Sequence, residues 1–203
     1  MTITRSMFLR IQNMHGMYCS WALWAEPQDE DDHRTGGLNN PIFEHFPDED
    51  LSKLNPNLIL VGFNKSTGPV DSLMNFHSDD QHIGKLRYAL RDSPLWGAYM
   101  TDLLKGYSNP SSSETMAYLK NHPNELSESL KLFRNELTSL GVSNPILFAL
   151  GKNTYNLMKK HLDGEFQIVK LIHYSHYIKN PKEENYKQLI LPHVVNALNC
   201  KPW

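Results

Sequence analysis

The sequence predicts an α/β protein built around a mainly parallel sheet. Uncharged apolar runs alternate with amphipathic stretches from about residue 58 onward. The clearest run, residues 58–62, lies between Pro56 and a loop rich in polar residues, Gly and Pro. Such runs are typical of strands buried on both faces, and strands that alternate with helices pair in parallel through right-handed crossovers. We therefore expect a buried central sheet with helices on both faces.

The first 57 residues are expected to form an N-terminal extension that packs on this core. A short helix is predicted around residues 7–14, and an aromatic, uncharged segment over residues 18–25 predicts a strand. An acidic cluster at residues 29–32 indicates a solvated loop. A short helical turn is expected between residues 41 and 54.

The core is expected to occupy residues 58–200 of a single domain that spans the chain. Its helices are marked by caps and stops: Ser111 and Glu114 have the spacing of a capping box, and Gly141 is a typical helix end. The predicted core strands are residues 58–62, 95–104, 146–151 and 166–173. The predicted helices are residues 84–91, 111–120, 124–140 and 153–161 (capped by Asn153), and a last one that Pro181 opens and Pro192 kinks or divides.

Composition narrows the class of protein. With 203 residues, 40% hydrophobic and 21% charged, the chain can bury a large core. No apolar run approaches the ~20 residues of a membrane helix, and the N-terminus lacks the apolar segment of a secretion signal. Two distant cysteines, Cys19 and Cys200, indicate reduced thiols and exclude a four-cysteine metal site. We expect a cytoplasmic protein with no membrane contact and no cofactor.

Polar side chains follow three of the predicted core strands. They are Asn64 and Ser66 after the first, Thr101 and Asp102 at the second, and His173 and Ser175 at the last. Because ligands of open parallel sheets bind outside the carboxyl ends of the strands, these side chains are expected to meet in one site. The alternative is that they only turn the chain or cap helices.

These residue types suit the hydrolysis of an N-glycosidic bond. The amide oxygen of Asn64 can hold a water molecule, and His173 can donate a hydrogen bond to a departing base that becomes anionic. The segment Asn75-Phe76-His77 offers an aromatic face for stacking, with polar groups beside it that can contact a base edge.

The chain also resembles the uracil-DNA glycosylase superfamily, in the branch that includes mismatch-specific glycosylases and bacterial or phage-borne relatives. Gly62-Phe-Asn-Lys-Ser66 resembles the first motif of that family, and Ile172-His-Tyr-Ser175 resembles the second, which is usually His-Pro-Ser. Residues 145–151 resemble the strand before the second motif. The resemblance covers roughly residues 55–180 and depends on the order and spacing of the motifs.

The resemblance implies an α/β/α sandwich with a central four-stranded parallel sheet and a base flipped out of DNA. It places Asn64 as the water-orienting residue, His173 as the residue that stabilises the departing base, and Phe76 as the stacking ring. The family's Pro-Gly after the motif Asn is replaced by Lys65-Ser66, and its Pro after the His by Tyr174. The expected substrate-binding residues are Gly62, Phe63, Ser66, Asn75, Phe76, His77, Thr101, Asp102, Tyr174 and Ser175.

Other interpretations follow from the same residues. The scaffold could bind a nucleotide, nucleic acid or protein without turnover, or it could hydrolyse small nucleosides. A serine hydrolase is disfavoured because the Gly-x-Ser-x-Gly pattern is absent. His77, His173 and His176 lack the spacing and carboxylate partners of a metal centre, so no metal is expected. The expected partner is DNA or a nucleobase or nucleotide, and the sequence does not determine the oligomeric state.

Overall fold

The computed structural model describes residues 2–25, 37–66, 70–78, 81–176 and 183–200. The strands within these ranges are β1 (Cys19–Trp21), β2 (Asn55–Gly62), β3 (Ala98–Asp102), β4 (Ile146–Leu150) and β5 (Gln167–Leu171). The α-helices are α1 (Arg5–His15), α2 (Gln81–Leu90), α3 (Ser112–Asn121), α4 (Pro123–Ser139), α5 (Lys152–Leu162) and α6 (Glu183–Asn199), and a short 3-10 helix spans Asp48–Lys53. The acidic cluster at residues 29–32 and the predicted helix start at Pro181 lie outside the described residues.

The strands form one sheet in the order β1-β3-β2-β4-β5. The pairs β3–β2, β2–β4 and β4–β5 are parallel, so the carboxyl ends of these four strands lie along the same edge. The central strand β2 is buried over residues 58–62, and Gly62 at its end is paired with Asp102 of β3. The prediction of an α/β protein with a mainly parallel sheet is therefore confirmed.

The sheet has five strands among the described residues, whereas the resemblance implied four. The additional strand, β1, pairs antiparallel with β3, placing Trp21 opposite Tyr99. The two rings meet edge to face, with their centroids 4.9 Å apart. β1 covers the edge that β3 would otherwise expose, and unpaired edges are a liability for association. The segment predicted as a strand over residues 18–25 thus contributes three residues and extends the sheet.

Helices pack on both faces of the sheet because alternate strand residues point to opposite sides. Ile59 and Val61 belong to one apolar cluster, which also contains buried residues of α1, α4 and α5. Leu58 and Leu60 belong to a second cluster, which contains buried residues of α2 and α6. The unbroken apolar run of β2 follows directly from this arrangement, since neither face of the strand meets water.

Two predicted boundaries near the strand ends are wrong by a few residues. β5 ends at Leu171, so His173 lies in the loop after the strand. Helix α5 is capped by Gly151, not by Asn153, and Gly151 has a φ of +93°. The chain reverses sharply there as it leaves β4, a backbone conformation that glycine adopts without the penalty of a Cβ.

The predicted cap at Ser111 is present, whereas the predicted break at Pro192 is not. Ser111 caps α3, and its hydroxyl accepts a hydrogen bond from the Glu114 backbone N–H at 3.3 Å, as predicted. Pro192 lies inside α6, which continues past it as one helix and is not divided. Among the described residues, no helix combines the length and the apolar character that crossing a bilayer requires.

Candidate functional site

A cleft of about 400 Å³ opens at the carboxyl ends of the parallel strands. Both predicted catalytic residues, Asn64 and His173, line it, although 109 positions separate them in the chain. Nine of the ten predicted substrate-binding residues also line it: Gly62, Phe63, Ser66, Asn75, Phe76, His77, Asp102, Tyr174 and Ser175. The parallel arrangement is what brings these loops together.

The side chain of Asn64 is oriented by two backbone carbonyl groups. Its amide nitrogen donates to the carbonyl oxygen of Asn109 at 2.8 Å and to that of Lys65 at 3.0 Å. Both amide hydrogens are thereby used, and a flipped amide would place oxygen against oxygen. The remaining polar atom of the side chain is Oδ1, which can only accept a hydrogen bond. A water molecule or hydroxyl group is the kind of partner that this acceptor can hold.

The imidazole of His173 is held in one tautomer. The backbone N–H of Ser175 donates to Nδ1 at 3.2 Å, and the Ser175 hydroxyl lies 2.7 Å from the same atom. Since a backbone N–H can only donate, Nδ1 is an acceptor and the proton of the neutral ring is on Nε2. His173 therefore offers an Nε2–H donor.

The surroundings of His173 keep the ring neutral. Burial lowers its pKa to about 4, and the positive potential of His82, Lys85 and His176 acts in the same direction. The Tyr174 ring stacks on the imidazole with centroids 4.3 Å apart and supports it from one side. At neutral pH the site thus contains a neutral hydrogen-bond donor in a partly positive environment, which suits a developing anion.

The N-terminus of α5 opens into the same cleft. Gly151, Lys152, Asn153 and Thr154 line it, and the N-cap residue Gly151 has no side chain that could cap the first turn. The positive end of the helix dipole and the unpaired first N–H groups favour negative charge nearby. This end of the cleft therefore favours negative charge, as the hydrogen-bond donor on His173 also does.

Gly62 allows a close approach between Phe76 and Asp102 at the base of the cleft. A Cβ at position 62 would lie 2.2 Å from Asp102 Oδ1 and 3.1 Å from Phe76 Cζ. Phe76 has a φ of +70°, an unusual backbone conformation for a non-glycine residue, and its half-buried ring lines the cleft. Strain of this kind often accompanies functional sites.

We expect Gly62→Ala to destabilise the protein by about 1–3 kcal/mol, because the new methyl group forces a carboxylate and a ring apart. Denaturant unfolding measures the loss. Gly164→Ala serves as a control, since its Cβ would meet no atom within 4 Å and only its positive φ would contribute. A Gly62→Ala protein as stable as wild type would show that the two side chains move away easily.

Asp102 and Asn75 form a buried pair on the cleft wall. Asn75 Nδ2 donates to Asp102 Oδ2 at 2.9 Å and to the carbonyl oxygen of Tyr18 at 2.9 Å. Burial raises the pKa of Asp102 to about 6, while the hydrogen bond from Asn75 and the charge of Lys105 act in the opposite direction. Asp102 is thus ionised at neutral pH but can be protonated in mild acid.

Some of the predicted substrate-binding residues face the core more than the cleft. Phe63 is 7% exposed and packs with Leu104 and Leu119. His77 is 6% exposed, its Nε2 lies 3.3 Å from the carbonyl oxygen of Trp21, and burial lowers its pKa to about 4. Each borders the cleft from below, so these residues shape it more than they can contact a ligand.

The structure does not place Thr101 in the cleft, contrary to the prediction. Thr101 precedes Asp102 in β3, so its side chain points to the opposite face of the sheet. There it is fully buried, donates to Glu136 at 2.9 Å and accepts from Lys105 at 2.6 Å. Its hydroxyl group therefore hydrogen-bonds to both members of the buried Lys105–Glu136 ion pair.

Several residues of the cleft were not among the predicted site residues. Asn109, Pro110 and Ser112 come from the loop after β3 and the start of α3, and Lys152 and Asn153 come from the start of α5. The loop after β3 could have been found, because it leaves a strand at the same sheet edge. The contact between Asn109 and Asn64 could not, since it depends on how the two loops fold over each other.

Comparison with models of known protein families gave no match to this chain, and no curated protein matched it either. Within the described residues, no group of three or more His, Cys, Asp or Glu side chains is arranged to hold a metal ion. The cleft is therefore the main indication of function.

Proposed function

We propose that the chain hydrolyses the N-glycosidic bond of a modified or mismatched base in DNA, as a member of the uracil-DNA glycosylase superfamily. The observation that supports this most is the pairing of two complementary groups in one cleft. The amide oxygen of Asn64 is the acceptor for a nucleophilic water, and the Nε2–H of His173 is the donor for the departing base.

The reaction needs little covalent chemistry from the protein. The bond between the sugar and the base breaks, and the base leaves with the electron pair. Water then adds to the cation-like sugar carbon, and the proton that it loses balances the charge of the released base. Asn64 orients the water. His173, together with the N-terminus of α5, stabilises the negative charge that develops on the base.

The size and walls of the cleft suit a single base. A volume of about 400 Å³ lies within the range of ordinary ligand sites, and the half-buried ring of Phe76 offers a surface for stacking. A base inside a duplex would have to be flipped out to reach this depth, as other enzymes that act on bases require. Lys65-Ser66, where the family has Pro-Gly, alters the backbone that would surround the base.

The direct test is an assay of base release. The intact protein is incubated with single- and double-stranded oligonucleotides that each carry one modified or mismatched base, and abasic sites are cleaved with alkali. We expect Asn64→Ala to slow release about 100-fold, because the water is no longer positioned. Asn135→Ala, an exposed amide on α4, is the matched control and should leave the rate unchanged.

Equal rates for Asn64→Ala and wild type would remove Asn64 from the mechanism. Binding of the oligonucleotides without any abasic product would instead support the second interpretation of the sequence, a binding module that uses the same cleft. Release from free nucleosides but not from DNA would indicate a nucleoside hydrolase.

A further inference from the structure

The two carboxylate oxygens of Asp102 have different surroundings. The residue is 4% exposed and lines the cleft, and its Oδ2 accepts from Asn75. For Oδ1, no donor is found among the described residues. Oδ1 is therefore the carboxylate oxygen that can accept a hydrogen bond from a ligand in the cleft.

Gly62 provides the space for this oxygen. A Cβ at position 62 would lie 2.2 Å from Oδ1, so the oxygen is accommodated only because the facing residue has no side chain. The same residue also gives room to the Phe76 ring, whose Cζ would be 3.1 Å from that Cβ. A ligand that reaches Oδ1 would therefore lie close to the Phe76 ring.

Asn75 cannot supply a donor beside Asp102. Its Nδ2 has two hydrogens, and these are donated to Asp102 Oδ2 and to the Tyr18 carbonyl oxygen. The amide cannot be flipped without placing its oxygen against two acceptors. Asn75 and Asp102 together thus present only oxygen acceptors to any ligand at this wall.

We infer that Asp102 selects bases that carry an exocyclic amino group, such as cytosine or adenine, over bases with a carbonyl at the same position. This rests on the proposed function, since it names the class of base that the same cleft accepts. An amino N–H satisfies Oδ1, whereas a carbonyl oxygen there leaves two acceptors facing each other. Uracil has a carbonyl where cytosine has its amino group, so in the same orientation it is disfavoured at neutral pH.

The preference depends on the ionised form of Asp102. Burial raises its pKa to about 6, the Asn75 hydrogen bond and the charges of Lys105 and Lys65 lower it, and the charge of Glu136 raises it. The selectivity for amino groups is therefore fully present well above pH 6. It should decline as pH falls through 6, because a protonated carboxyl gains an O–H that can donate to a carbonyl.

The test compares matched nucleosides that differ at one position. Calorimetric titration of the intact wild-type chain at pH 7.5 uses deoxycytidine against deoxyuridine and deoxyadenosine against deoxyinosine. We expect the amino member of each pair to bind at least about tenfold more tightly, the scale of a hydrogen bond to a charged group.

The variant Asp102→Asn should reverse the order within each pair. Asn75 still donates to the oxygen of the new amide, so the NH₂ group takes the place of Oδ1 and offers a donor. Asp163→Asn removes the same charge at the far end of α5 and should leave the ratios unchanged. Circular dichroism verifies that the variants are folded. Titration of the wild-type chain from pH 7.5 to pH 5 tests, without a substitution, whether the selectivity depends on the ionised form of Asp102.

Three results would overturn the inference: no nucleoside binding, tighter binding of deoxyuridine by wild type at pH 7.5, or an Asp102→Asn protein with wild-type ratios. The proposed function can fail independently of this inference. Asn64-dependent release of uracil from DNA at neutral pH would support the proposed hydrolysis and exclude the amino-group selectivity. Amino-selective binding without base release would support the selectivity and exclude the hydrolysis.

Discussion

Replacing His173 with alanine is expected to lower the rate of base release by about 10²- to 10³-fold, the scale that loss of one preorganised donor to a developing anion produces. The effect should fall on kcat more than on KM, because the hydrogen bond strengthens as the base becomes anionic. The fold should be retained, since the side chain is half-buried in a loop outside the strands. Single-turnover assays on wild type and variant measure the difference.

The tautomer of His173 gives this prediction a second measurement. Nitrogen NMR of the ring should show a protonated Nε2 and an unprotonated Nδ1, as the hydrogen bond from Ser175 requires. Because burial lowers the pKa to about 4, the neutral form should persist as pH falls from 7 to about 5. His193→Ala, an exposed histidine on α6, is the control variant.

A His173→Ala protein that releases base at the wild-type rate would exclude the imidazole from the chemistry. A ring that titrates near pH 6.5 would show that its surroundings do not keep it neutral. Either outcome would leave the fold intact and would move the search for a donor to the N-terminus of α5.

Replacing Glu136 with alanine should destabilise the protein by about 3–5 kcal/mol. Glu136 and Lys105 form a buried ion pair with a 2.5 Å contact, and their side chains are 1% and 3% exposed. Glu136 also accepts hydrogen bonds from the hydroxyl groups of Tyr99 and Thr101. Its removal leaves the Lys105 charge buried without a partner, which costs far more than losing a surface contact.

Thermal unfolding measures this effect, and a drop in Tm of roughly 10 °C is expected for a chain of this size. Glu165→Ala is the matched control, because its pair with Arg134 is exposed and should contribute at most about 1 kcal/mol. The double variant Lys105→Met with Glu136→Leu should be more stable than Glu136→Ala, since no charge remains buried. A Glu136→Ala protein that unfolds like wild type would mean that the network contributes little.

Most of the site residues could be predicted from the sequence because they follow the ends of strands. Asn64, Asp102 and His173 come after apolar runs, and parallel pairing makes the carboxyl ends of such strands coincide. That inference needed only the order of strands and helices. It went wrong at Thr101, because a shift of one position along a strand moves a side chain to the opposite face. Every residue of β3 is buried, so its pattern of burial does not mark which face borders the cleft.

The sequence by itself determined the α/β class, the buried strand over residues 58–62 and the polar groups that follow the strands, because these depend on local patterns of apolar and polar residues. Only the tertiary structure decided that β1 completes the sheet and that Asn109 orients Asn64. It also decided that Asn75 donates a hydrogen bond to Oδ2 of Asp102 and not to Oδ1. Those facts depend on contacts between distant segments. Whether an amide or a carboxylate presents a donor or an acceptor is set by its neighbours in space, and the chain order does not encode that directly.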